Sequence, residues 1–277
     1  MDTVKQLGEY ASENGNEISY QGKGTNVPVT VRFRGSGNRL VVASDAKIVE
    51  LVVDFFGDNG TVVIGPTTKP RTGLRFAIRV GHESSVTIGK DVGSQTRTYI
   101  VASEGASVSL GEDCMLASSI EIRTDDSHPI YDVRTERRIN NARSISIGDH
   151  VWIGKYAAIL GGVSIGSGSV VGFRSIVTKS VPNNSIAAGS PARVLRKNIA
   201  WERPKLNARK PGQSLVLPGE KSARFWNETE CDQDEVAIML KAPSTSRVRS
   251  LWRSLIPKSV RRQLLKLGRT LTPPLRK

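Results

Sequence analysis

The chain has few of the residues that build a covalent framework or a wide aromatic core. Only two of its 277 residues are cysteine, Cys114 and Cys231, and aromatic residues make up 5% of the sequence. Two well-separated cysteines provide neither a disulfide framework nor a CxxC metal pair, so we expect a reducing, cytoplasmic compartment. The shortage of aromatic residues favours a narrow interior filled by Ile, Val, Leu and Ala.

Long apolar runs are also missing. The first twenty residues contain no apolar segment of the kind that forms a secretory signal. No stretch approaches the roughly 18 apolar residues that a helix needs to span a membrane. The sequence therefore predicts neither a secretory signal nor a transmembrane helix.

Acidic residues are absent after Glu235, whereas residues 241–277 contain eleven Lys or Arg. Of the net charge of +14, only about +3 therefore belongs to the rest of the chain. Apolar residues recur at helical spacing in residues 245–277, which predicts a C-terminal basic tail that forms an amphipathic α-helix, broken or kinked near Pro257. Its role stays open between peripheral contact with an anionic membrane, packing on the protein itself, and binding of polyanions. Nucleic-acid binding is not expected as the main function, because no groove-reading element is present.

Branched aliphatic residues recur at six-residue intervals in the second half of the chain. A period of six fits neither a helix nor a flat strand, so it indicates a repeat architecture. Three hexads make one coil of a triangular parallel β-helix, which we predict for residues 23–200, with irregular early coils. Residues 1–22 are predicted to be a polar lead-in, and residues 201–244 a linker or packed extended arm. The repeat positions are Ile147, Ile153, Ile159, Ile165, Val171 and Val177.

A charged segment interrupts this repeat at residues 123–143. Insertions in solenoids lie on one face, which is often the binding face, so we expect the chemistry here. The segment contains His128, which follows Asp125, Asp126 and Ser127. An imidazole can act as a general base near neutral pH, and either aspartate could orient it. The competing interpretation is a surface histidine in a polar loop.

The other two histidines, His82 and His150, are predicted to lie on the surface. The spacing of the three histidines lacks the close pair that a zinc site of the three-histidine type needs. No metal is therefore expected.

Residues 110–197 resemble the hexapeptide-repeat acetyltransferases, and most closely those that modify sugars and polysaccharides. The segments that carry the resemblance are LGEDCMLASSIEI, DDSHPIYD and the run from ISIGDHVWIG to SPARVLRK. The resemblance implies an all-β solenoid, a left-handed parallel β-helix with an extruded active-site loop, which is an exception to the right-handed crossover rule. It also implies acetyl-CoA as co-substrate and a homotrimer with active sites between neighbouring subunits.

By the same resemblance, His128 removes the proton of an acceptor hydroxyl that attacks the thioester carbonyl of acetyl-CoA. Trp152 corresponds to the tryptophan of the family's VWIG motif and would form a wall of the site. Phe173 and Arg174 stand where many relatives have a small pair, so the path of the coenzyme at this corner stays open. Contacts with the coenzyme are implied for Trp152, Lys155, Phe173, Thr178, Lys179, Arg193 and Arg196.

The sequence therefore predicts an acetyl-CoA-dependent O-acetyltransferase that acts on a sugar, a surface polysaccharide or a glycolipid precursor. Two alternatives are an N-acyltransferase for an amino (nucleotide-)sugar and a β-helix assembly protein that has lost catalysis. The intact DSHP segment and Trp152 argue against the second alternative. The acceptor itself cannot be read from the sequence.

Overall fold

The structure is a computed structural model that describes residues 1–23, 26–70, 72–203 and 224–230. The chain divides into two compact units, Met1–Asn227 and Glu228–Lys277, and the fold described below belongs to the first. The predicted basic tail and most of the predicted linker lie outside the described residues. Within the described part, no helix is long and apolar enough to cross a membrane.

The described residues form short β-strands that are arranged in three sheets. Sheet 1 consists of β1 (Asp2–Val4), β4 (Val29–Phe33), β6 (Ile48–Phe55), β8 (Leu74–Val80), β11 (Thr98–Ala102), β14 (Glu121–Arg123), β17 (Ala158–Leu160) and β20 (Ile176–Val177). Sheet 2 consists of β2 (Tyr10–Ala11), β3 (Glu17–Ser19), β5 (Arg39–Val42), β7 (Thr61–Ile64), β9 (Ser85–Ile88), β12 (Ser107–Leu110), β15 (Ile145–Ile147) and β18 (Ser164–Ile165). Sheet 3 consists of β10 (Gly93–Ser94), β13 (Met115–Leu116), β16 (Trp152–Ile153), β19 (Val170–Val171), β21 (Ile186–Gly189) and β22 (Ala192–Arg196).

From β8 to β20, successive strands visit the three sheets in turn, so each sheet is one face of a triangular solenoid. The earlier strands β4 to β9 alternate between sheets 1 and 2. Strands pair in parallel along each face, and antiparallel pairs occur at the two ends: β1 with β4, β2 with β3, and β21 with β22. Such terminal strands cover sheet edges that would otherwise be open to pairing with another chain. Residues 1–22, treated above as a lead-in, contribute strands to two of the faces. The predicted all-β solenoid is confirmed.

The six-residue column forms the core of the later coils. Its members are 0–2% exposed. Ile147 pairs with Ile165, and Ile159 with Val177, so one coil takes 18 residues, or three hexads. The small or branched residues at the turns are buried as well: Val151, Ala157, Val163, Ser169 and Ser175.

The earlier coils are longer than the hexad rule predicts. Val31 pairs with Val53, so 22 residues make one coil, and β6 alone has 8 residues. The longer sides leave space for rings, and three buried phenylalanines fill it: Phe33, Phe55 and Phe76. An interior of Ile, Val, Leu and Ala therefore describes the later coils but not the earlier ones.

One coil contains the predicted insertion. Ile122 of β14 pairs with Ile159 of β17, although 37 residues separate them. The excess over a regular coil lies between β14 and β15, at the corner where sheets 1 and 2 meet. The charged segment is thus extruded from the solenoid, as predicted.

Candidate active site

The extruded loop is a short hairpin that is fastened to the coil beneath it. Its two arms meet at an antiparallel bridge between Tyr131 and Arg138. Glu104, from the preceding coil, accepts hydrogen bonds from Arg138 Nη1 at 2.6 Å and from the Ala142 backbone N–H at 3.1 Å. The hydrogen bond from Arg138, followed by that from Ala142, holds the pKa of Glu104 below its ordinary value.

The residue before His128 has a strained backbone. Ser127 has φ of +67°, in the left-handed region that costs most residues about 1 kcal/mol. Its N–H donates to Asp125 Oδ1 at 2.7 Å, and its hydroxyl accepts from Arg123 Nη2 at 2.7 Å. This turn leaves the His128 side chain exposed to solvent.

Asn140 joins the two arms of the loop at the level of His128. Its Nδ2 donates to the His128 carbonyl oxygen at 2.8 Å and to Asp126 Oδ2 at 3.1 Å. Its Oδ1 accepts from the Ile130 N–H at 2.7 Å. The sequence analysis did not find Asn140, because nothing in the sequence distinguishes it from its neighbour Asn141.

The two aspartates before His128 have partners other than the imidazole. Asp125 Oδ2 accepts from the Ser103 hydroxyl at 2.7 Å, which ties the loop to the coil below. Asp126 is bonded to Asn140, as described above. In the described part of the chain, neither carboxylate forms a hydrogen bond or an ion pair with His128. The predicted role of either aspartate in orienting the imidazole stays a prediction.

A cleft of about 400 Å³ opens at the base of the loop. The loop contributes Asp125, Asp126, Asn140 and Arg143 to its wall, and Thr178 follows β20 on the opposite side. Three of the predicted site residues, Asp125, Asp126 and Thr178, therefore share one cleft.

Arg143 presents a guanidinium group to this cleft. A methyl group added at Gly162, which has φ of +86°, would lie 2.9 Å from Arg143 Cζ. The absence of a side chain at Gly162 therefore leaves the space that the Arg143 side chain occupies. The loop's Arg123 and Arg138 form ion pairs with Glu121 and Glu104. Across the described residues, no carboxylate lies within ion-pair distance of Arg143, which leaves its charge available for a ligand.

A second group of predicted site residues lies on another part of the solenoid. Trp152 is 38% exposed on sheet 3. At the corner between sheets 3 and 1, Lys155 Nζ lies 4.6 Å from the ring centre of Tyr156, and Arg174 Cζ lies 5.7 Å from it. Phe173 packs edge-on against the same ring at 5.9 Å. Exposed rings beside exposed cations suit a planar, anionic ligand.

The remaining predicted coenzyme contacts are exposed basic residues. Lys179 follows β20, and Arg193 and Arg196 lie on β22 at the edge of sheet 3. One chain therefore divides the predicted site residues between the corner with the loop and its cleft, where Lys179 follows Thr178, and the sheet 3 side.

The surface placement predicted for His150 is wrong. Its ring is 3% exposed and lies between the rings of Trp201, at 4.0 Å, and Phe225, at 4.4 Å. Its Nδ1 is 2.8 Å from Asp113 Oδ2, and its Nε2 is 3.1 Å from the Trp201 carbonyl oxygen. The cause is a chain segment that folds back over the corner between sheets 2 and 3, which the local sequence does not indicate. His82, by contrast, is exposed as predicted.

The carboxylate of Asp113 is contacted by three basic side chains of this buried cluster, those of His150, Lys69 and Arg203. Burial raises its pKa, but hydrogen bonds from His150 and Lys69, together with the charge of Arg203, outweigh burial and hold the pKa well below its usual range. The neighbouring Cys114 is buried, and burial raises the pKa of its thiol to about 12. Across the described ranges, no group of three or more His, Cys, Asp or Glu side chains is arranged to hold a metal ion.

A hexapeptide solenoid with one extruded, histidine-bearing loop and a cleft at its base defines the class of β-helix acyltransferases. Comparison with known proteins agrees with this class. The family described as bacterial transferase hexapeptide (six repeats) matches residues 144–179. The polysialic acid O-acetyltransferase of Neisseria meningitidis is 34% identical over 170 residues, which cover 61% of this chain and 77% of that protein. The chain thus belongs to the hexapeptide-repeat acetyltransferase family, and the resemblance found in the sequence is confirmed.

Two further comparisons support the same family. The polysialic acid O-acetyltransferase of Escherichia coli O1:K1 / APEC is 39% identical over 105 residues, which cover 38% of this chain and only 34% of that protein. The crystal structure of the polySia-specific acetyltransferase NeuO matches with a TM-score of 0.60 and 35% identity, covering 69% of this chain and 91% of that chain. The similarity therefore extends over most of the solenoid in the structural comparison.

Proposed function

We propose that the protein transfers an acetyl group from acetyl-CoA to a hydroxyl group of a sugar in a polysaccharide or glycolipid precursor. The observation that carries the proposal is the exposed His128 imidazole on a loop stiffened by Asn140, Arg123 and Glu104, in a chain of this family. Relatives described as polysialic acid O-acetyltransferases support a glycan as the acceptor.

In the proposed reaction, His128 accepts the proton of the acceptor hydroxyl while the oxygen attacks the thioester carbonyl carbon. The tetrahedral intermediate collapses, the carbon–sulfur bond breaks, and the departing thiolate of coenzyme A takes the proton from the imidazolium. General base catalysis of this kind contributes roughly 10²- to 10⁴-fold to a rate. No step requires a metal ion.

We further propose that the complete site forms between two subunits of a homotrimer. The loop with His128 and the exposed residues Trp152, Lys155 and Phe173 lie on different corners of one solenoid, so a single chain does not bring them together. A cyclic arrangement with head-to-tail contacts would place the loop of one subunit against the sheet 3 side of the next. The acetyl-CoA contacts proposed for Lys179, Arg193 and Arg196 would then lie across this interface.

The Arg143 guanidinium group, which has no carboxylate partner among the described residues, favours an acceptor that carries a carboxylate. Arginine binds carboxylates through two parallel hydrogen bonds, which gives geometric selectivity as well as charge. Arg143 and Thr178 line the same cleft, so a sugar bound there could present its carboxylate to Arg143 and its hydroxyl toward the loop. Attachment to the cytoplasmic membrane face through residues 245–277 remains a separate proposal, because that segment lies outside the described residues.

The test is an assay of coenzyme A release from acetyl-CoA with a panel of acceptors: polysialic acid, neutral oligosaccharides and amino sugars. We expect an alkali-labile ester product, and a loss of roughly 10²- to 10⁴-fold in kcat for His128→Ala. His82→Ala, at another exposed histidine, is the matched control and should keep full activity. A His128→Ala protein as fast as the wild type would refute the base assignment. An alkali-stable amide formed only on amino sugars would identify an N-acyltransferase, and no release with any acceptor would favour an assembly protein.

A further inference from the structure

A segment at the C-terminal end of the first unit folds back onto the solenoid. We call residues 201–203 and 224–227 the clasp. Arg203 Nε donates to Asp113 Oδ1 at 2.7 Å, and Arg224 donates to Asp149 Oδ2 at 2.9 Å and to Glu112 Oε2 at 3.2 Å. These partners lie along the turns between sheets 2 and 3, so the clasp is fastened to successive coils by charge.

The inner side of the clasp is apolar and closes over His150. Trp201 and Phe225 are buried, but neither belongs to the continuous hydrophobic core inside the solenoid. The coils therefore have a complete core without them. The clasp is an added layer rather than a structural requirement of the β-helix.

The hydrogen bonds of His150 show how the clasp is joined to it. Its Nε2 lies 3.1 Å from the Trp201 carbonyl oxygen and its Nδ1 lies 2.8 Å from Asp113 Oδ2, so both ring nitrogens have partners. The rings of Trp201 and Phe225 cover the two faces of the imidazole. His150 is thus the buried residue that the clasp covers and contacts.

The clasp also reaches the proposed acetyl-CoA side of the site. The Trp201 Nε1–H donates to the His150 carbonyl oxygen at 2.9 Å, which fixes the indole of Trp201. The ring of Trp201 lies 6.0 Å from the ring of Trp152 at an angle of 48°, within the range of favourable aromatic contacts. One face of Trp152 is therefore supported by the clasp while the ring remains partly exposed to a ligand.

We propose that the clasp is part of the wall of the acetyl-CoA subsite, with Trp201 holding Trp152 in one orientation. His150 is the positioning residue, because it fixes Trp201 without itself reaching the surface. The inference rests on the proposed function, in which Trp152 lines the path of the coenzyme. His150, Trp201 and the rest of the clasp therefore contribute to binding of the acetyl donor, whereas the catalytic loop does not.

The experiment measures coenzyme A binding by calorimetry and steady-state kinetics for full-length wild type, His150→Gln and Trp201→Leu. We expect the Kd for coenzyme A and the KM for acetyl-CoA to rise about five- to tenfold, in line with the loss of one aromatic contact. The value of kcat should change less than about twofold, because His128 and its loop are untouched. Phe56→Leu is the matched control: it removes a partly exposed aromatic ring on an early coil, outside the clasp and the proposed site, and it should leave both constants unchanged.

Limited trypsin digestion reports separately whether the clasp is released in each variant. Release of the clasp with unchanged binding of coenzyme A would overturn the inference, as would a fall in kcat with KM unchanged. If Trp201→Leu fails to fold, Trp201→Phe keeps an aromatic ring but removes the hydrogen bond to the His150 carbonyl oxygen, and the same criteria apply. A wild-type protein that does not bind coenzyme A would instead refute the proposed function itself, so the two failures are distinguishable.

Discussion

Replacing Asn140 by alanine should disable the loop without unfolding the solenoid. The substitution removes hydrogen bonds to the His128 carbonyl, to Asp126 and from the Ile130 N–H, which are 2.8, 3.1 and 2.7 Å long. A hydrogen bond contributes about 0.5–1.5 kcal/mol net, and we take the low end because this loop is exposed. Together the three contacts then stabilise the arrangement around His128 by about 1.5–2 kcal/mol.

This energy sets the expected loss of activity. Each 1.36 kcal/mol corresponds to a factor of ten, so Asn140→Ala should lower kcat by up to about 10- to 30-fold. The KM for acetyl-CoA and the thermal unfolding midpoint should stay unchanged, because the loop lies outside the hydrophobic core. Asn141→Ala is the control, since Asn141 lines the same cleft. Full activity in Asn140→Ala, or an equal loss in Asn141→Ala, would refute the reasoning.

Three further predictions concern the core, the acceptor and the clasp. Ile159→Ala, in the buried column, should lower the free energy of unfolding by about 2–5 kcal/mol in urea titration, whereas Ile176→Ala, at an exposed position of the next coil, should cost much less. Arg143→Gln should raise the KM for an acidic glycan about tenfold in the acceptor assay and leave that for a neutral glycan unchanged; equal effects on both would contradict the role of Arg143. The folded-state pKa of Asp113 is depressed, so its contribution to holding the clasp is complete above the ordinary carboxyl range and is lost as the pH falls toward the folded-state value. Release of the clasp, followed by tryptophan fluorescence, should therefore increase with acidification in the wild type and become independent of pH in Asp113→Asn.

The later coils and the extruded loop could be predicted from the sequence because their signals are local and periodic. A six-residue spacing places Ile153 and Val171 in one buried column, and a break in that spacing locates the loop with His128. The buried column and the position of the loop both depend on residues that are close together in the sequence, so one sequence is enough to predict them.

Other features depend on contacts between distant residues. The clasp crosses from residue 201 back to Asp113 and His150, and no local pattern indicates that a polar turn will be covered by aromatic rings. The hydrogen bonds of Asn140 likewise arise only when the loop closes. The early coils were predicted only as irregular, and their length was not, because turns of unequal length obscure the period.

The two coil lengths described above have a consequence for how the chain finds its correct alignment. If every turn were identical, strands could stack one turn too early or too late and still bury an equivalent set of side chains. A 22-residue turn laid on an 18-residue turn would leave phenylalanine rings without space and backbone groups unmatched. The change in circumference midway along the prism therefore penalises slippage and favours a single alignment.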